Sequence, residues 1–337
     1  MTTVRLFLDF AAKKNHEVHQ MDVHNAFLHG DLEEEVYMKL PQGFSSPTET
    51  RVCRLCKSLY GLKQAPRCWF AKLTAALLKY GFSQKKSDYS LFVYSKNGVS
   101  LRILVYVDDL IISGNYAEEI KKFKEYLSMC FHMKDLGFLK YFLGIEVARS
   151  PTGFYLCQRK YATEIVNEVG FLDCKPFGFP IDQNHKLSLA NGRVLADPES
   201  YRRLVGRLVY LLATRLDLAY AGTLGQGILL RADSPLHITG WCDSDHSGCP
   251  LTRRSLTGWI VQFGSSPISW KTKKQDVVSM SSAEAEYRAM NALTKELKWL
   301  KSLLFDLGFD HVKPITIRCD NQAAIHISRA DPRRCVH

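Results

Sequence analysis

Between positions 101 and 114 the chain reads Leu-Arg-Ile-Leu-Val-Tyr-Val-Asp-Asp-Leu-Ile-Ile-Ser-Gly, two apolar, β-branched arms around a pair of acids, Asp108 and Asp109. With the run from Leu91 to Tyr94, these arms predict antiparallel strands. From Pro66 to Tyr80 the period changes. Trp69, Leu73, Leu77 and Tyr80 recur at helical spacing, Pro66 suits a first turn and Gly81 a stop, so a core-facing helix is expected. A second helix is expected from about Tyr116 to Cys130, with Ile120, Phe123 and Leu127 inward and Glu118 and Glu119 near its positive end.

The stretch from about Ser150 to Pro235 is less regular. It carries Pro176, Pro180 and Pro198, a helix-like run from Tyr201 to Tyr220, and a glycine-rich link, Ala221-Gly-Thr-Leu-Gly-Gln-Gly, leading into Ile228-Leu-Leu. After Pro235 order returns. His237 to Cys242 predicts a strand ending at Asp243, and Leu256 to Phe263 with Pro267 to Lys271 predicts a hairpin across Gly264-Ser-Ser. Ile315 to Cys319 predicts another strand, ended by Asp320, and one long helix is expected from about Ser282 to Leu307. There is no internal repeat and no low-complexity tract.

Composition narrows the class. At 337 residues and 46% hydrophobic the chain is long enough for two domains with real cores. A net charge of +11 favours a polyanionic partner, nucleic acid or an acidic membrane surface. No apolar run approaches the roughly 20 residues that span a bilayer, and the N-terminus lacks the regions of a signal peptide. The expectation is an intracellular, soluble protein of cytoplasm or nucleus, not secreted, with no membrane partner. The ten cysteines then read as reduced thiols, most of them small buried hydrophobes. Cys53 and Cys56 form a lone CxxC without a second pair, and the histidines show no HExxH spacing, so no zinc is assigned.

Candidate chemistry starts at Asp108 and Asp109. Adjacent carboxylates in apolar surroundings repel one another and resist ionisation, a position relieved by a metal cation between them. A plain hairpin turn is the alternative. A third carboxylate lies upstream, where Asp22 ends the segment Glu17-Val-His-Gln-Met-Asp and Phe27 follows. In the C-terminal section, Glu286, Met290, Leu293, Leu297, Leu300 and Leu304 share one helical stripe, whereas Glu284 projects near the opposite face. A carboxylate on a buried stripe is costly unless paired or metal-bound. Glu286 is therefore grouped with Asp243 and Asp320, and Asp245 and Glu284 are taken as solvated neighbours.

Three ordered motifs carry a resemblance. Gln20-Met-Asp-Val-His-Asn-Ala-Phe-Leu-His-Gly-Asp-Leu, Leu59-Tyr-Gly-Leu-Lys-Gln-Ala-Pro-Arg-Cys-Trp and Tyr106-Val-Asp-Asp-Leu closely resemble the reverse transcriptase of copia-type retrotransposon Pol polyproteins. The likeness continues through Tyr141-Phe-Leu-Gly-Ile-Glu-Val to Trp241-Cys-Asp-Ser-Asp, Ser281-Ser-Ala-Glu-Ala-Glu-Tyr and Cys319-Asp-Asn-Gln, which resemble the RNase H-like domain that follows in those polyproteins. It covers nearly the whole chain. The resemblance implies an α+β fold: a polymerase palm with partial fingers, an antiparallel sheet with helices, at 1–149; a remnant thumb or connection at 150–235; and an α/β RNase H-like domain at 236–337.

It also implies RNA-directed DNA polymerisation with two magnesium (or manganese) ions per active site, on RNA template, DNA primer, RNA-DNA hybrid and deoxynucleoside triphosphates. Asp22, Asp108 and Asp109 would be the metal-binding carboxylates, with the Val23 carbonyl a fourth ligand. Phe27 would exclude a ribose 2′-hydroxyl, although core packing is its plain alternative. Tyr60, Gly61, Lys63 and Gln64 would lie near template and incoming base. Asp243, Glu286 and Asp320 would be the hydrolytic, metal-binding cluster. Arg253-Arg254 and Lys271-Thr-Lys-Lys, near Trp259 and Trp270, would grip a hybrid backbone, or else form a solvated strand edge.

The chain departs from the family at four points. It begins at Met1 without the preceding basic fingers strands, lacks helical material between Ala219 and Ile228, and stops at His337 before a distal carboxylate. His246 stands where relatives tend to have an aromatic residue. From these the expectation is a truncated, degenerate element fragment with an incomplete RNase H domain. The competing reading is a catalytically dead nucleic-acid-binding relic; a weaker third is a surviving nuclease module alone.

Overall fold

The computed structural model describes residues 1–41, 43–44, 51–172, 174, 195–214 and 226–330. They fall into two compact units, one of residues 16–139 and one that joins residues 1–15 to 140–337. The first helix, α1 (Thr2–Lys13), thus belongs with the C-terminal part of the chain.

The 16–139 unit is built on β1 (Glu17–Val23), the short pair β2 (Asp31–Lys39) and β3 (Val52–Lys57), α2 (Ala65–Tyr80), β4 (Ser83–Gln84), β5 (Leu91–Lys96), β6 (Val99–Tyr106), β7 (Asp109–Gly114), α3 (Ala117–Cys130) and β8 (Met133–Phe138). Its main sheet has the order β4-β5-β6-β7-β1-β8, antiparallel throughout. Trp69, Leu73 and Leu77 of α2 and Ile120, Phe123 and Leu127 of α3 pack into one core with Met21, Leu101, Ile103, Val105, Leu110 and Ile112. Leu104 and Ile111 are also buried, which accounts for unbroken apolar runs in β6 and β7 where a half-exposed strand would alternate. Helix α2 ends where the glycine was expected to stop it: Gly81 takes a left-handed backbone, φ 113°, and its N–H returns to the Leu77 carbonyl.

The second unit adds β9 (Tyr141–Phe142), β10 (Ile145–Ser150), β11 (Gly153–Cys157), α4 (Arg159–Glu168), α5 (Pro198–Leu211), β12 (Gly227–Arg231), β13 (Ile238–Ser244), β14 (Leu256–Phe263), β15 (Ser266–Lys274), α6 (Ser282–Asp306), β16 (Thr316–Arg318) and α7 (Gln322–Ala330). One four-stranded sheet runs β12-β11-β10-β9; the other runs β15-β14-β13-β16, with β13 and β16 parallel. Helix α6 packs on β13 and β14. Gly240 makes that approach possible, since a Cβ there would meet the Leu293 side chain at 3.0 Å.

Helix α1 packs against β11, β12 and β15. The buried Arg5 donates Nε to the Ile268 carbonyl (2.7 Å) and Nη1 to the Ala213 carbonyl (2.6 Å), and its guanidinium lies 3.8 Å above the Trp270 ring. The fold is therefore mixed α/β, with antiparallel sheets and seven helices among the described residues. The helix expected over 201–220 starts earlier, capped by Asp197, and closes at Leu211; its remainder at 215–220, Pro176, Pro180 and most of the glycine-rich link lie outside the described residues. No helix among the described residues is long and apolar enough to cross a membrane.

Candidate metal centres

Strand pairing brings the first acidic set together. β1 and β7 run antiparallel with Asp22 opposite Asp109, and the Val23 N–H donates to the Asp108 carbonyl at 2.9 Å. Tyr106 pairs with Asp109, so Val107 and Asp108 form the two-residue tip of the β6–β7 hairpin. The turn reading and the metal reading thus describe the same residues: a tight turn presents Asp108 beside Asp109, with Asp22 on the next strand. All three are half-buried. Against β8, β1 shifts register between Gln20 and Met21, and burial along β1 stops alternating there. The extra residue is Leu136 of β8, while β1 keeps an unbroken register with β7 through Asp22.

Two neighbours hold this tip. Gln20 Nε2 donates to Asp109 Oδ1 at 3.0 Å, and Trp69 Nε1 donates to the Val107 carbonyl at 2.7 Å. Burial pushes the Asp109 carboxyl up from its ordinary value; the Gln20 bond opposes this, and the charges of Asp108 and Asp22 add to it. Sequence reasoning missed Gln20 and the role of Trp69, which periodicity marked as core alone. Gln20 does stand two residues before Asp22, as close to it as β-pleating allows on one side of a strand. Hard oxygen donors converging on a charged strand end suit magnesium or manganese.

The proposed nucleotide-side residues also gather. Phe27, in the turn Ala26–His29, contacts the Tyr60 ring with centroids 4.8 Å apart. Ser58 Oγ bonds to the Phe27 carbonyl, which ties this turn to the segment leading into α2. Gly61 has φ 94°, a corner that leaves Tyr60 and Lys63 exposed while Gln64 caps α2.

In the second unit Asp243 lies on β13, Asp320 follows β16, and Glu286 projects from the first turns of α6. Glu286 is 4% exposed; its Oε1 accepts from the Ser244 N–H at 3.0 Å, and its Oε2 lies 3.6 Å from the Cys319 sulfur. Burial raises the Glu286 carboxyl, with Asp243 and Asp320 contributing. Asp243 and Asp320 are exposed and line a cavity of about 590 Å³ with Trp241, Trp270, Lys271 and Arg318. Glu284 faces away, as its position on the stripe predicts. It closes the helix start, accepting from the Met280 N–H and pairing with Arg288, while Ser281 Oγ accepts from Glu284 N. Asp245 accepts from the Leu256 N–H at 2.6 Å.

A family model described as reverse transcriptase (RNA-dependent DNA polymerase) matches residues 1–183. The chain belongs to the reverse transcriptase family of copia-type Pol polyproteins. It is 40% identical over 97% of its length to the retrovirus-related Pol polyprotein from transposon RE2 of Arabidopsis thaliana, of which it covers 24%. It is 35% identical to the Pol polyprotein from transposon TNT 1-94 of Nicotiana tabacum, over 98% of this chain and 28% of that protein. An uncharacterized mitochondrial protein of Arabidopsis thaliana is 38% identical over 58% of this chain and 93% of its own length. This chain thus spans about a quarter of the length of the Pol polyproteins it matches. Asp22, Phe27, Tyr60, Gly61, Lys63, Gln64, Asp108 and Asp109 fall within the matched family segment; Asp243, Glu286 and Asp320 lie beyond it.

Proposed function

We propose that the 16–139 unit of this chain carries an RNA-directed DNA polymerase site in which Asp22, Asp108 and Asp109, with the Val23 carbonyl, hold two magnesium or manganese ions. The register of Asp22 against Asp109, with Asp108 at the adjoining hairpin tip, carries this reading. Divalent metal, when bound there, supplies positive charge that favours an ionised primer 3′-hydroxyl and a departing pyrophosphate. The protein's part is placement. Gln20 fixes the Asp109 carboxylate, and Trp69 fixes the turn that carries Asp108. Phe27, braced against Tyr60, is the residue that excludes a ribose 2′-hydroxyl, so deoxynucleoside triphosphates are the substrates. Lys63 and Gln64, on the approach to α2, contact template and incoming nucleotide.

For the C-terminal section the reading is a ribonuclease H-like domain at 236–337, joined through 150–235 to polymerase motifs at 1–149. The parallel β13–β16 pair ending in Asp243 and Asp320, crossed by the helix of Glu286, supports it. An RNA-DNA hybrid is its ligand. A cleft of about 510 Å³ on the same unit is lined by Lys271, Lys273, Lys274, Arg288 and Lys295, with Lys273 paired to Asp276 and Arg288 to Glu284. An excess of cations along a cleft of this kind can take phosphate oxygens without reading sequence.

Primer extension on an RNA template with magnesium tests the polymerase reading. The wild-type chain should extend the primer, and Asp108→Asn should lower the rate by at least about 10²-fold. Extension unchanged by the substitution rejects the site. Salt-dependent retention of hybrid with no extension by the wild type would instead support a binding relic.

A further inference from the structure

Cys319 does not fit a magnesium centre. Its sulfur lies 3.6 Å from Glu286 Oε2, and one ligand atom from each of Glu286, Cys319 and Asp320 falls within 4.8 Å of the others. Among the described residues this is the set of three potential ligands so grouped. A second sulfur adjoins it. The parallel pairing of Trp241 with Arg318 carries the next residues, Cys242 and Cys319, onto neighbouring strands. Cys242 is buried on the α6 side of β13, with its sulfur 3.8 Å from the Arg318 carbonyl.

Magnesium favours hard oxygen ligands in octahedral array and keeps several waters. Thiolate selects softer ions, and a tetrahedral set of sulfur and carboxylate donors suits zinc. From this juxtaposition we infer that Glu286, Cys319 and Asp320 form a three-ligand site, with Cys319 the single sulfur donor, for a thiophilic divalent ion such as zinc. Asp243 lines the adjoining exposed cavity and does not belong to the close-set group of ligand atoms. As the ion enters, the Cys319 thiol loses its proton to solvent and a metal–sulfur bond replaces the S–H bond. Occupation removes Glu286 and Asp320 from any magnesium cluster with Asp243. Zinc is then an inhibitor of the nuclease proposed for this unit. The inference rests on that reading of Glu286 and Asp320 as ligands, but the binding itself needs no turnover.

The probe is cobalt(II), added to the full chain kept reduced with a phosphine. Ligation by Cys319 gives a thiolate-to-cobalt charge-transfer band in the near ultraviolet, which zinc bleaches and about a thousandfold excess of magnesium does not. Cys319→Ser should abolish that band and weaken zinc competition by at least about tenfold. Asp243→Asn should leave both unchanged while altering any hybrid cleavage, so failure of the nuclease reading is seen separately. If Cys319→Ser fails to reproduce the wild-type circular dichroism, Cys319→Ala and Glu286→Gln replace it. A wild-type chain without the band, or a folded Cys319 variant that keeps it at full intensity, overturns the inference; retention of the band would place the metal at other cysteines such as Cys53 and Cys56.

Discussion

Val107 holds a left-handed backbone, φ 58°, at the tip of the β6–β7 hairpin. For a β-branched residue that conformation is a genuine outlier, and it costs on the order of 1–2 kcal/mol. The turn geometry that sets Asp108 beside Asp109 is thus held against local preference by strand pairing and by the Trp69 bond to the Val107 carbonyl. Asparagine tolerates this region without adding the freedom of glycine to the unfolded chain. Val107→Asn should therefore raise stability by about 1 kcal/mol, read as a higher midpoint in urea. A lower midpoint would show that the Val107 side chain contributes more than its backbone loses. The pair of acids was legible in the sequence because charge interrupts an apolar run. The strain was not, because valine carries no signal for a positive φ.

At the scale of elements, α2 and α6 were readable within a residue or two: period, proline or serine start and a terminal stop all agree. Helix α1 was not. Its polar stripe, Arg5, Asp9 and Lys13, has helical spacing, but Arg5 and Asp9 are buried like the apolar residues Leu6, Phe7, Leu8, Phe10 and Ala11, and the partners that explain Arg5 lie more than 200 positions away. The β2–β3 pair was missed for the opposite reason, since Glu33, Glu34 and Glu35 are all exposed and leave no apolar face to read. Helix α1 also carries a pH dependence. Asp9, fully buried, faces Lys13 Nζ at 2.7 Å and lies near Ser266, with Asp233 acting on Lys13. Burial raises the Asp9 carboxyl from 3.8 to about 6, only partly opposed by Lys13.

The folded chain therefore retains a proton that the unfolded chain releases. Stability from this group is complete below the unfolded value and is lost as pH rises through about 6. Asp9→Asn cannot titrate. Between about pH 4 and about pH 7, wild type should lose up to about 3 kcal/mol relative to Asp9→Asn in urea unfolding. Parallel pH profiles would mean that Lys13 keeps Asp9 ionised in the folded state throughout.

For the whole molecule, chain order and compact units do not coincide: residues 1–15 pack with 140–337, while the polymerase motifs sit in 16–139. Composition foretold a basic chain, +11 overall, and ordered motifs foretold the family, because both are properties of sequence alone. The interleaving was hidden, since it depends on contacts such as Arg5 with Ile268 that no local pattern encodes. Its consequence is that the polymerase unit cannot be isolated by a single cut after residue 139 without stranding α1 from β11, β12 and β15. The central claim concerns that unit: Asp22, Asp108 and Asp109 jointly hold divalent ions. Anomalous scattering from crystals of the full chain soaked in manganese tests it most directly. The account predicts manganese peaks bridging these three carboxylates, lost in Asp109→Asn; manganese bound elsewhere, with no peak between Asp22 and Asp109, would contradict it.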